Sequence, residues 1–71
     1  MRKYLLIFEK TSTGYSAYVP DLPGVIATGK TKLSTEKQIY DATRFHLEGM
    51  ELKKLPIPKS ETTGETFVFS K

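Results

Sequence analysis

Seventy-one residues make one domain of about 8 kDa, too short for two folding units and small enough that its core is thin. There is no cysteine, which excludes disulfides and thiolate metal sites. Eleven basic against eight acidic residues give +3, but the excess is spread along the chain rather than gathered as in a duplex binder.

The longest apolar run, Tyr4 to Phe8, is far short of the ~20 residues of a spanning helix. It starts almost at Met1 with no small-residue cleavage site behind it, so no signal peptide is expected and a cytoplasmic protein is. Residues 3 to 9 read as the first strand, with Tyr4, Leu6 and Phe8 on one face and Leu5 and Ile7 on the other. Apolar side chains on both faces predict cover on two sides. Thr11 to Gly14 is turn chemistry, and Tyr15 to Val19 alternates large and small residues as an antiparallel second strand ended by Pro20. Asp21-Leu22-Pro23-Gly24 is a tight reversal into a third strand at Val25 to Thr28, which completes a meander.

Residues 31 to 52 form the one long helix, with Thr31 or Ser34 as N-cap and Leu55-Pro56-Ile57-Pro58 barring its continuation. Gly49, inside the helix, reads either as a close-approach position or as an early C-cap. Thr35, Ile39, Ala42, Thr43, His46 and Met50 share a stripe that should lie on the sheet. A second stripe, Leu33, Tyr40 and Leu47, has little sheet left to cover it. Either a second copy of the chain covers it, making these the candidate self-association residues, or the 55–63 loop does. Thr66 to Ser70 reads as a fourth strand, with Phe67 and Phe69 opposite Val68. The order is βββαβ, an α+β domain over residues 1–71.

Catalytic prospects are poor. His46 stands alone on the sheet-facing stripe, with Met50 rather than a carboxylate one turn on, and reads as a packing histidine rather than a general base. The carboxylates sit among lysines or in loops, and no glycine-rich phosphate loop is present. No catalytic, metal or cofactor-binding residue is assigned, and no cofactor is expected. Four Tyr and four Phe beside strand lysines resemble a stacking platform for nucleic acid, but Tyr4, Phe8, Phe67 and Phe69 are where so short a chain must find its core.

At Gly14-Tyr15-Ser16-Ala17-Tyr18-Val19-Pro20-Asp21-Leu22-Pro23-Gly24-Val25 the sequence resembles the HicB antitoxin family. Ala27 to Thr31, His46 to Met50, and Ile57-Pro58 continue the match in order and spacing. The resemblance implies a truncated ribonuclease H fold without its catalytic carboxylates. It also implies a non-catalytic, homo-oligomeric protein that occludes a small basic RNA-cleaving toxin of HicA type. Tyr15, Tyr18, Asp21, Leu22 and Pro23 are the partner-binding candidates, and Asp21, Glu48 and Glu51 a candidate acidic patch. Family members commonly carry a DNA-binding segment after this domain. None is expected here, with the chain ending at Lys71, so DNA binding is not expected either. The competing readings are a stand-alone RNA- or DNA-binding module and a weak metal-dependent hydrolase on the ribonuclease H-like frame.

Overall fold

A computed structural model describes residues 2–71. Three strands, β1 (Ile7–Lys10), β2 (Tyr15–Tyr18) and β3 (Ile26–Gly29), form an antiparallel meander in the order β1-β2-β3, followed by helix α1 (Lys32–Leu52). The architecture is α+β, and α1 lies across β2 and β3.

The β1–β2 hairpin closes through a Thr11 N–H donating to the Gly14 carbonyl at 2.8 Å. Gly14 is required by contact: a Cβ there would stand 2.2 Å from the Gly29 carbonyl oxygen, on the backbone of the third strand. The second connection is tighter. The Val19 N–H donates to the Val25 carbonyl, Leu22 N–H to Val19, and Val25 N–H to Leu22, at 3.0–3.2 Å. Gly24 takes φ +89° there, a region open to glycine at no steric cost. These bonds fold Leu22 inward until it is fully buried. They also explain why β1 starts at Ile7 and not at residue 3. The register pairs Ile7 with Tyr18, and the residues that would face positions 3–6 turn away into the reversal.

Thr31 caps α1. Its hydroxyl accepts from the Ser34 N–H at 3.0 Å while the Ser34 hydroxyl accepts from the Thr31 N–H at 3.2 Å, so the two candidate caps act as a reciprocal pair. The helix runs past Gly49 and ends in a Schellman arrangement. Leu55 N–H reaches the Met50 carbonyl at 2.9 Å, Lys54 N–H reaches Glu51, and Lys54 takes the left-handed position at φ 55°. Gly49 is therefore neither a cap nor a contact glycine, since a Cβ there would meet nothing within 4 Å.

The buried core is Ala17, Val19, Leu22, Val25 and Ile39, with Tyr4, Leu6, Phe8, Ala27, Ala42 and Leu47 packed around it. Thr35 is buried too, its hydroxyl donating to the Thr31 carbonyl at 2.7 Å, as Thr43 does to Ile39. Of the stripe expected to face the sheet, Thr35 and Ile39 are buried and Ala42 packs on the core, joined there by Leu47 of the second stripe.

One expected element does not form. Residues 66–70 are not a strand, and Phe67, Val68 and Phe69 are exposed at 68, 96 and 83%. Phe67 and Phe69 thus contribute nothing to the core assigned to them from sequence. Strand propensity requires an edge to pair with, and this segment pairs with none of the described strands.

Candidate protein-interaction surface

Alternation along the strands leaves one sheet face without a helix. The register aligns Ile7, Tyr18 and Ile26 in a single row across all three strands of that face. Ile26 is 69% exposed, Tyr18 is exposed as well, and Ile7 is half-buried. An apolar row open to solvent on a domain this small fits a partner better than it fits water. Sequence reasoning found Tyr18 but missed Ile7 and Ile26. The signal that points to them is the one-residue register, which period-2 alternation alone does not supply.

The five partner-binding candidates divide. Tyr18 and Pro23 are exposed, and Tyr15 is half-buried on the helix side. Leu22 is 0% exposed and belongs to the core, so it touches no partner of the folded chain. Asp21 is engaged within the chain. Its carboxylate accepts from the Thr62 N–H at 3.0 Å, the Thr62 hydroxyl at 2.7 Å and the Glu61 N–H at 2.9 Å. The two Thr62 bonds and the Glu61 bond hold its pKa below the ordinary 3.8, against a smaller opposing push from desolvation. Asp21 therefore acts as a clamp on the segment after the helix. Tyr4 is a second clamp, its hydroxyl donating to the Pro58 carbonyl.

Glu48 and Glu51 lie together beside Leu52 on the helix, and Asp21 faces Thr62. Glu48 also stands 3.8 Å from Arg44 in a solvated pair.

Two grooves flank α1. One, about 420 Å³, is lined by Val25, Ile26, Phe45, His46, Met50 and Leu55; His46 is half-buried there. The other, about 460 Å³, lies between α1 and the residues leading into β1, with Tyr4, Leu6, Tyr40, Thr43 and Leu47 in its wall and Arg2, Arg44, Glu48 and Glu51 around it. Of the self-association candidates, Leu33 and Tyr40 are exposed. Leu47 is half-buried and packs on the core as well as lining the groove.

Among the described residues no cluster of three or more His, Asp or Glu is placed to hold a metal ion. No helix of the described residues is long and apolar enough to cross a membrane. Tyr4 and Phe8 pack against the core, which removes both from the stacking platform that a nucleic-acid reading requires.

No family model matches the chain. It is 37% identical over 57 residues to an uncharacterized 14.9 kDa protein in the rep-hol intergenic region of Haemophilus phage HP1, covering 80% of this chain and 43% of that protein. It is 36% identical over 58 residues to UPF0150 protein Ta0767 of Thermoplasma acidophilum, covering 80% of this chain and 84% of that one. The chain thus spans less than half of the phage relative and most of the Thermoplasma one. Among solved structures it superposes on a chain of the HicA3 and HicB3 toxin-antitoxin complex with a TM-score of 0.69 and 27% identity, over 84% of this chain and 70% of that chain.

Proposed function

Because this chain belongs to the UPF0150 family, which is HicB-like, we propose that it is a non-catalytic antitoxin-type protein, a homo-oligomer that binds and occludes a small basic RNA-cleaving toxin of HicA type. The observation that carries the reading is the superposition on a chain of a toxin–antitoxin complex at 27% identity. The Ile7–Tyr18–Ile26 row is the surface offered to the toxin. Two basic proteins gain no net attraction at long range, so the contact rests on apolar area rather than on charge. The same reading makes the protein cytoplasmic, where RNA and its nucleases meet.

Pull-down from the source cell, followed by an RNA-cleavage assay of whatever small basic protein is recovered, tests the proposal. Suppression of cleavage by the chain supports it. Ile26→Asp should then weaken the complex at least tenfold without lowering the melting temperature, since Ile26 is largely exposed in the free chain. Failure to recover any such ribonuclease, or cleavage undiminished at saturating chain, refutes it.

A further inference from the structure

The segment after the helix ends its contacts with the domain abruptly. Pro58 is held by Tyr4, and Glu61 and Thr62 by Asp21. A Cβ on Gly64 would lie 3.5 Å from the Leu5 side chain. Asp21 follows β2 and Leu5 precedes β1, so the segment travels outward across the end of the sheet and leaves past β1. Beyond that point Thr66-Phe67-Val68-Phe69-Ser70 has strand composition, exposed side chains and no backbone hydrogen bond to the rest of the described residues.

A complementary vacancy lies nearby. Among the described residues β1 pairs with β2 alone, which leaves its outer edge open. The groove between α1 and the residues leading into β1 is walled by Tyr4, Leu6, Tyr40 and Leu47. Tyr40 and Leu47 come from the second helical stripe, of which Leu47 also packs on the core and Tyr40 is exposed. One surplus apolar segment and one surplus apolar groove thus occur in the same chain.

We propose that residues 66–70 of one copy add as a strand to the outer edge of β1 of a second copy, reciprocally, with Phe67 and Phe69 seated in the groove between α1 and the residues leading into β1. This rests on the homo-oligomer of the preceding section but assigns its contact. An edge strand lies about 4.8 Å from its neighbour. Three residues from Gly64 to Phe67 span at most about 10 Å, so the arm reaches only an edge adjoining its own β1. A two-fold axis beside β1 meets that condition, because it sets the two β1 edges next to one another. Period-2 alternation then sends both phenylalanines to the helix side and Val68 to the Leu5–Ile7 side. Four phenylalanines per dimer bury about 600–1,000 Å², roughly half of what a standard stable interface requires before any other contact is counted. The charges agree: Glu65 and Lys71 flank the arm, and Arg2, Arg44, Glu48 and Glu51 surround the groove.

The test uses the isolated full chain, so it is independent of any toxin. Light scattering should give about twice the 8.0 kDa of one chain. Phe67→Asp with Phe69→Asp should return the single-chain mass, with at least a hundredfold weaker self-association and an unchanged circular dichroism spectrum. The absence of native cysteine permits a second measurement. Val68→Cys mixed with single cysteines at Leu5, Ile7 or Glu9 should give a mixed disulfide at one of the three. Thr28→Cys on β3 should give little. A wild-type monomer at millimolar concentration, a double variant that stays dimeric, or cross-linking to Thr28→Cys as efficient as to β1 would each overturn the proposal.

Discussion

Ile39→Ala is the perturbation that bears most directly on how the domain holds together. Ile39 is fully buried, at the point where α1 meets Ala17, Val19, Leu22 and Val25. Truncation removes the transfer free energy of the lost carbons and leaves a cavity, together about 2–5 kcal/mol in a rigid site. The site here is walled on one side by the reversal from Val19 to Val25, which three backbone bonds keep from collapsing, so about 3 kcal/mol is expected. Native domains hold roughly 0.05–0.15 kcal/mol per residue, about 4–11 kcal/mol for a chain of this length. The single substitution therefore removes between a quarter and three quarters of the total. At about 4–8 °C per kcal/mol for so short a domain, the melting temperature should fall by roughly 12–24 °C. Leu52→Ala is the matched control. It removes an aliphatic side chain from the same helix, but Leu52 is 84% exposed, and the change should stay within about 0.5 kcal/mol. Thermal unfolding followed by circular dichroism at fixed protein concentration reads both. Equal shifts for the two variants would refute the assignment of the sheet-facing helical stripe, and with it the packing of α1 on β2 and β3.

Gly49→Ala should raise stability by about 1 kcal/mol, because the position is helical and a methyl group there meets nothing; thermal melting checks it. Lys54→Gly should add a comparable amount by relieving the left-handed backbone at φ 55°, read the same way. Gly14→Ala should destabilise, since its methyl would press into the Gly29 backbone; loss of the folded signal on heating, relative to Gly49→Ala, measures it. Asp21 carries a pH signature. Its pKa is lowered in the folded chain, so its contribution is complete above the unfolded value of 3.8 and disappears as pH falls through the lower folded value. Amide exchange at Glu61 and Thr62 should accelerate over that acid range in the wild type, and Asp21→Asn should show the fast rates already at neutral pH.

The parts of the fold written in local chemistry were readable from residue order. β2, β3 and α1 fall within about a residue of the periodic runs that predicted them, because turn residues and caps adjoin each boundary. Thr31 and Ser34 were separate cap candidates and prove to be one reciprocal pair. What stayed hidden depends on partners distant in sequence. Nothing near Asp21 foretells that Thr62, forty-one residues on, consumes its carboxylate. Leu22 between Asp21 and Pro23 reads as a turn residue offered to solvent, and only the bonds linking Val19, Leu22 and Val25 show it folded under. The strand pattern at 66–70 is a correct reading of propensity and an incorrect reading of pairing, since alternation says which faces a strand has and not whose edge it joins. The site suffered most: the row that crosses the open sheet face exists only once the register is known.

Many of the apolar groups that this domain leaves outside its core lie in a row across one sheet face, in the groove between α1 and the residues leading into β1, and on the segment 66–70, while Leu33, Phe45 and Leu52 of α1 are exposed as well. With five buried hydrophobic residues among those described, the domain has little stability to spare, so covering any of these surfaces alters the folding equilibrium as well as the contact. A partner that binds only the folded form at a hundred times its dissociation constant adds about 2.7 kcal/mol, close to the cost of losing Ile39. If the two proposed surfaces bind a second copy and a different protein, they strengthen each other without touching. Assembly raises the folded population that the partner recognises, and partner binding does the same for assembly. A destabilised variant such as Ile39→Ala should accordingly regain much of its melting temperature at high protein concentration, whereas the same variant carrying Phe67→Asp and Phe69→Asp should not.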